Sequence, residues 1–359
     1  MIIPELPSYL SSMGGENYKG FIISLFTLTA GLSRPFSGKL ADTIGRRPVI
    51  FMGMVVCIIC SLLYPILTSV GAFMLLRLVH GFSTGFSPTG MTAYISDIVP
   101  IHRRGEAMGI IGVSINLGSS ISPPIGSYLA YTYSLDVMFL ASSLSAVVSI
   151  LLVIKISESL KKRRSFEWNI LRLNRNEIIS KSTILPALVC GFSYFGFGVI
   201  ITITPDQCEH LGMLNKGLFF SSFTICSVLS RVFAGKASDL YGRIPVMRIA
   251  IVLLAISYAI MGMADSPRTL LIGSGLVGFT HGIVIPGVFA WTVDLSKEEE
   301  RGRGLATLFI GLEVAIGMGA LIGAALYAND ASNYSRALIV TSMVALVGLV
   351  FVRQPKGEV

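Results

Sequence analysis

Long apolar runs broken by short polar turns fill this chain. Residues 51–70, 137–154, 182–205 and 337–352 carry no formal charge at all. The pattern predicts helices over 18–41, 48–70, 71–98, 105–131 and 134–156. After a polar stretch it predicts a second set over 183–210, 215–240, 246–264, 267–295, 302–328 and 333–353. These reach the length that a hydrocarbon core of about 30 Å requires. A further apolar piece at 1–13 does not, since thirteen helical residues rise only about 20 Å. It is expected to be the outer half of a first helix whose remainder the chain lacks. The fold class expected is an all-α membrane protein of two pseudo-symmetric six-helix bundles around a central cavity. Its bundles are 1–156 and 183–359, joined by a polar linker at 157–182.

The turn after the first full-length helix recurs. Gly38-Lys39-Leu40-Ala41-Asp42-Thr43-Ile44-Gly45-Arg46-Arg47-Pro48 is followed 197 positions later by Gly235-Lys236-Ala237-Ser238-Asp239-Leu240-Tyr241-Gly242-Arg243-Ile244-Pro245. At that offset Arg34 pairs with Arg231, Gly38 with Gly235, Asp42 with Asp239, Gly45 with Gly242, Arg46 with Arg243 and Pro48 with Pro245. Gly81 and Gly85 match Gly278 and Gly282, Asp97 matches Asp294, and Arg104-Gly105 matches Arg301-Gly302. A duplicated apolar chain is the mark of a secondary transporter. Within the turn, Gly38 suits close approach of a neighbouring helix. Gly45 suits a cap with positive φ, and Pro48 suits the first turn of the next helix.

The chain is 53% hydrophobic and 13% charged, with a net charge of +8. Such a balance raises the possibility of a nucleic-acid partner, but the distribution argues for topology instead. With the linker placed in the cytoplasm, 21 of the 28 Lys and Arg fall at inner loops or helix ends. Lys19, Lys216, Arg268 and Arg336 fall outside, and Arg34, Arg77 and Arg231 lie within spans. This is the positive-inside rule, so nucleic acid is excluded and a lipid bilayer is the expected surrounding. The linker run Lys161-Lys162-Arg163-Arg164 is expected to be a solvated segment. Cys57, Cys60, Cys190, Cys208 and Cys226 sit in apolar spans, where packing is the expected role. No metal-ligand cluster, nucleophile–base set or phosphate loop is evident, so neither a cofactor, a metal nor an enzymatic activity is expected.

The repeated turn resembles the signature of the major facilitator superfamily, Gly-x-Leu-Ala-Asp-x-x-Gly-Arg-Arg/Lys between the second and third helices. The second copy keeps Gly235, Asp239, Gly242 and Arg243 but has Ala237 for the leucine. The resemblance implies that Gly38, Asp42, Gly45, Arg46, Gly235, Asp239, Gly242 and Arg243 form a conformational latch at the cytoplasmic ends. Asp97 and Asp294 are expected to join its charges. Gly109, Gly118, Ser122, Pro123, Gly126 and Ser127 resemble the family's antiporter motif, with serine replacing two of its glycines. Arg77, with Gly81 four residues on, resembles an Arg-x-x-x-Gly element linked to proton coupling. The piece Leu6-Pro7-Ser8-Tyr9-Leu10 is similar to the start of a first transporter helix.

Three residues are candidates for proton coupling: Glu313, Arg77 and Glu5. Acids within the membrane are costly and call for a functional reading. Glu313 is the deepest isolated acid in the sequence, and Asn116 is its mate in the repeat. Asp206 and Glu209 are expected to be solvated near the outer interface. Asn116, Tyr194 and His281 are the candidates for a substrate cavity, while His80 is expected to be a packing residue. The resemblance implies a proton-driven exporter of small organic compounds in the inner (plasma) membrane, acting as a monomer. A sugar or nutrient importer, an uncoupled facilitator and a non-transporting receptor are the alternatives. No feature of the sequence names the substrate.

Overall fold

The computed structural model describes all residues except 101–102, 161–162, 173–178, 297–300 and 354–359. Within the elements, the side chains of 104–106, 108, 109, 113, 169, 232, 233, 235, 236, 239, 301 and 302 also lie outside the description. Twelve α-helices are described. The first set is α1 (Leu6–Ser12), α2 (Lys19–Thr43), α3 (Arg46–Leu63), α4 (Val70–Ile98), α5 (Arg104–Thr132) and α6 (Leu135–Ile154). The second is α7 (Ile184–His210), α8 (Gly217–Tyr241), α9 (Arg243–Gly262), α10 (Pro267–Asp294), α11 (Arg301–Tyr327) and α12 (Tyr334–Val347). No described residue is in a strand. The boundaries follow the apolar pattern to within a few residues, because each run ends where a polar turn restores water to the backbone.

Seven of the described helices are long and apolar enough to cross a membrane: α3, α6, α7, α9, α10, α11 and α12. Helices α2, α4, α5 and α8 fall outside that set, and they supply much of the packing described next. The contacts repeat with the sequence. Helix α2 packs on α4 as α8 packs on α10, α3 on α4 as α9 on α10, and α3 on α6 as α9 on α12. Helix α7 packs along α11, whereas its short mate α1 leaves only the turn Ile3–Glu5 to meet α5. Two further pairs, α2 with α11 and α5 with α8, join the first set to the second.

Small residues set the close packings. A Cβ on Gly81 of α4 would land on the Phe26 carbonyl of α2, and one on Gly278 of α10 would land on the Phe223 carbonyl of α8. Phe26 and Phe223 are themselves 197 apart. Gly85 likewise abuts Ser33, and Gly282 abuts Ser230. The caps repeat too: Ser69 accepts the Ala72 N–H at the start of α4, and Ser266 accepts the Thr269 N–H at the start of α10. Such caps contribute about 1 kcal/mol each. Gly45 and Gly242 both hold positive φ, 130° and 83°. Only a residue without Cβ takes those angles without strain, so both turns reverse sharply into α3 and α9.

Candidate functional site

The helix ends that carry Arg46, Arg47, Lys155 and Arg243 make a basic face. The opposite end, with Lys19, Asp206 and Lys216, is the far face. Between them, the α2–α11 contact is crossed by an ion pair: Arg34 Nη2 donates to Glu313 Oε1 at 2.7 Å. The side chains are only 15% and 9% exposed. The Arg34 guanidinium also lies 4.4 Å over the Phe309 ring of α11, and the Glu313 stem packs on Gly31 of α2. Glu313 is therefore not the isolated acid that its sequence neighbourhood suggested. Its partner lies 279 positions away on the other half of the repeat.

The other candidates fall into separate places. Arg77 is 2% exposed. Its Nε donates to the Ile22 carbonyl at 2.7 Å and its Nη1 to the Tyr64 hydroxyl at 3.2 Å, with Phe26 under the guanidinium. It thus ties α2, α3 and α4 together, and it meets no carboxylate among the described residues. His80 shares the Tyr64 hydroxyl at 3.1 Å. The second half has a corresponding pair on α9 and α10, Tyr258 with His281 at 2.9 Å. His281 is 3% exposed and is ringed by Tyr194, Phe197 and Phe223. Tyr194 is partly exposed. Asn116 turns its Nδ2 back onto the Gly112 carbonyl at 2.6 Å.

Glu5 belongs to a cluster at the far face. Ser127 Oγ donates to it at 2.6 Å, and Lys216 Nζ lies at 3.7 Å. Lys216 also donates to Glu209 at 2.8 Å and Ser8 at 2.7 Å. Lys19 of α2 pairs with Asp206 of α7, both largely buried. The proline beside Asp206 holds it at the helix end, but the residue is ion-paired across the two halves rather than solvated as the sequence suggested. The α5 motif borders the same closure. Gly126 abuts Met1, Pro123 abuts Gly217 of α8, and the Ser122 Oγ accepts from the Met1 amine at 3.3 Å. Gly118 has open space around it. Gly109 lies outside the described side chains.

At the basic face the arrangement is the reverse. A Cβ on Gly38 would meet nothing within 4 Å, and the Asp42 side chain is 71% exposed. Arg46 bonds Asp42 at 2.6 Å, Asp97 at 3.0 Å and the Ala41 carbonyl. In the second half Arg243 lies 2.5 Å from Asp294. Gly235, Asp239, Arg301 and Gly302 lie outside the described side chains. A residue that the sequence did not single out completes the first latch. Glu158, just after α6, accepts the Arg46 and Arg47 backbone N–H at 2.9 and 3.0 Å. It is the anion at the positive N-terminus of α3. Burial by itself pushes its carboxyl up, but the N–H groups of Leu160, Arg46 and Arg47 and the Arg163 charge outweigh that and hold it below the ordinary value. Ser159 donates to Asp97 at 2.7 Å, Arg164 N–H to the Thr43 carbonyl at 2.9 Å, and Lys39 to the Arg172 carbonyl at 2.6 Å. The linker is therefore tied to the latch on either side of its basic run; Arg163 and Arg164 have exposed side chains, and Lys161 and Lys162 lie outside the described residues. An Arg- and Lys-rich composition hides this, because the bonds run through its one early acid and its backbone.

Two repeated helix sets, closed at one end and meeting across a buried ion pair, define a membrane transporter. The sequence profile of the Major Facilitator Superfamily matches residues 1–213 and 187–358, and the chain belongs to that family. It is 26% identical to the "Multi-drug resistance efflux pump PmrA homolog" of Lactococcus lactis over 98% of this chain and 89% of that one. It is 23% identical to the "Quinolone resistance protein NorA" of Staphylococcus aureus over 91% of this chain and 85% of that one. Among solved structures, the human organic anion transporter MFSD10 (TETRAN) superposes with a TM-score of 0.72 at 20% identity, over 96% of this chain and 88% of that one. A peptide transporter POT superposes with a TM-score of 0.78 at 15% identity, over 98% and 89%. At those identities the two structures speak to the fold alone.

Proposed function

We propose that this chain is a secondary active exporter of small organic compounds that works by alternating access in exchange for protons. Membership of the family and the efflux-pump names of the relatives support export. The Arg34–Glu313 pair carries the coupling. It is a buried carboxylate held by a cation of the opposite bundle, so its protonation state bears on how the bundles meet. A proton on Glu313 cancels the negative charge and leaves an ordinary hydrogen bond to Arg34. The α2–α11 contact then loosens and the two bundles rock. Deprotonation on the other side restores the tie.

In this reading the bundles are 1–156 and 183–359 with 157–182 as the linker. The basic face is cytoplasmic, and the protein acts as a monomer in the plasma membrane. The far-face ties of Lys19 to Asp206 and of Lys216 to Glu5, with open space at Gly38, correspond to the inward-facing state. The latch residues Gly38, Asp42, Gly45, Arg46 and Asp97 then engage the second bundle in the outward-facing state. Arg77 and Glu5 support the scaffold and the outer closure in this scheme, and Glu313 carries the proton.

The test is proton movement in energised inverted vesicles, read as recovery of a quenched acridine fluorescence. A panel of cationic, neutral and anionic compounds is added to wild type and to Glu313→Gln. Wild type releases protons with one class of compound, and the inserted variant does not. Proton release that survives in Glu313→Gln refutes the role of Glu313. A correctly inserted wild type that moves compounds but no protons is an uncoupled facilitator.

A further inference from the structure

Arg231 of α8 has no hydrogen-bond or ion-pair partner among the described residues, and its Nε is buried. Arg34 Nε is unpartnered as well, but Arg34 holds the Glu313 carboxylate through its Nη2, and Arg231 has no such tie, so the position calls for a reason. Arg231 is Arg34 displaced by 197 positions, and the same offset carries Phe309 to Gly112 and Glu313 to Asn116. The geometry respects the match. Arg34 meets Phe309 and Glu313 on α11. Arg231 Nη1 meets Gly112 on α5, lying 3.8 Å from where a Cβ would stand. Apart from its own helix backbone and chain neighbours, no other described atom comes within 4 Å of that point. Asn116 spends its Nδ2 on the helix backbone. The second copy keeps the guanidinium and lacks both groups that satisfy it in the first, the aromatic face and the carboxylate.

The α5–α8 contact that Arg231 faces joins the first set to the second, as the α2–α11 contact crossed by Arg34 does. Arg34 and Glu313 cancel each other, whereas Arg231 brings a positive charge with no carboxylate partner among the described residues. We propose that Arg231 anchors an aromatic organic anion. The substrate carboxylate takes the place on Arg231 that Glu313 has on Arg34, and its ring takes the place of Phe309 against the guanidinium. A planar guanidinium is suited to both, pairing with a carboxylate through two parallel N–H groups and stacking on a π face. The inference rests on the carrier reading above and adds a substrate class to it.

The experiment is equilibrium dialysis of the full chain in detergent against 2-naphthoate and its uncharged isostere 2-naphthamide. Wild type binds the carboxylate at least about tenfold more tightly than the amide, the scale of one charge-assisted contact. Arg231→Gln brings the ratio to one. Gly112→Phe with Asn116→Glu also abolishes the preference, because it rebuilds around Arg231 the partners that Arg34 has. Size-exclusion chromatography checks that each variant is folded. Equal binding of the two probes by wild type, or a preference that survives Arg231→Gln, overturns the proposal. Either result leaves the carrier reading intact, since that reading is judged on proton movement with the other compounds of the panel.

Discussion

Removing Arg34 isolates a buried ion pair between the two bundles. Arg34→Met keeps most of the side-chain volume and deletes the charge. An ion pair separated by about 4 Å in a medium of effective dielectric near 20 attracts by about 4 kcal/mol. Removing one partner of a buried pair costs about 3–5 kcal/mol, because the other is left uncompensated. The contact qualifies as buried, with 15% and 9% side-chain exposure at 2.7 Å. Loss of the guanidinium over Phe309 adds about 1 kcal/mol. At roughly 2 °C per kcal/mol for a chain of this size, Arg34→Met lowers the Tm by about 8–12 °C. Glu313→Gln falls by a similar amount, since it strands the guanidinium. The double variant strands neither charge and recovers most of the loss. A thiol-reactive dye reports unfolding directly, because Cys60, Cys190 and Cys208 are buried in the native state. If the losses of the single variants add in the double variant, the two residues are not coupled and the argument fails.

Three other outcomes follow from the geometry. Glu158 has its carboxyl held below the ordinary value in the folded chain, so its contribution is present above the ordinary carboxylate pKa of about 4.3 and is lost as the pH falls below it. The protection of the Arg46 and Arg47 amides relative to their intrinsic exchange should fall as the pH drops through that depressed value, and Glu158→Gln should show the lower protection already at neutral pH; wild-type protection in the variant would contradict the cap. Gly81→Val and Gly278→Val, whose side chains would run into the Phe26 and Phe223 carbonyls, should each abolish the monodisperse peak on size exclusion. Ordinary elution of either would show that the helices are less tightly apposed than described. Lys19→Met removes the tie to Asp206 beside the close contact of Gly20 with the Ala320 carbonyl. A cysteine at Ala320 in a cysteine-free background should then react several-fold faster with an impermeant maleimide, and an unchanged rate would mean that Lys19 does not hold the far face shut.

The sequence by itself determined the helices, the duplication and the family. Those features are local or periodic: an apolar run of membrane length, a glycine where φ must be positive, a charge repeated at one offset. Each is written at the position where it acts, which is why Gly45 and Gly242, or Asp97 and Asp294, could be matched residue by residue. Only the tertiary structure decided who meets whom. Glu313 reads as isolated because its partner Arg34 sits in the other bundle, on a helix whose rotation the sequence does not state. Asp206 reads as a solvated end residue for the same reason, with Lys19 out of sight 187 positions earlier. Glu158 reads as part of a basic linker, because a carboxylate on backbone amides leaves no charged partner in the sequence to find. The bare Arg231 emerged only when the repeat was laid over the contacts of Arg34. Pairing across an interface depends on helix rotation and approach, and these are fixed by packing between segments hundreds of residues apart.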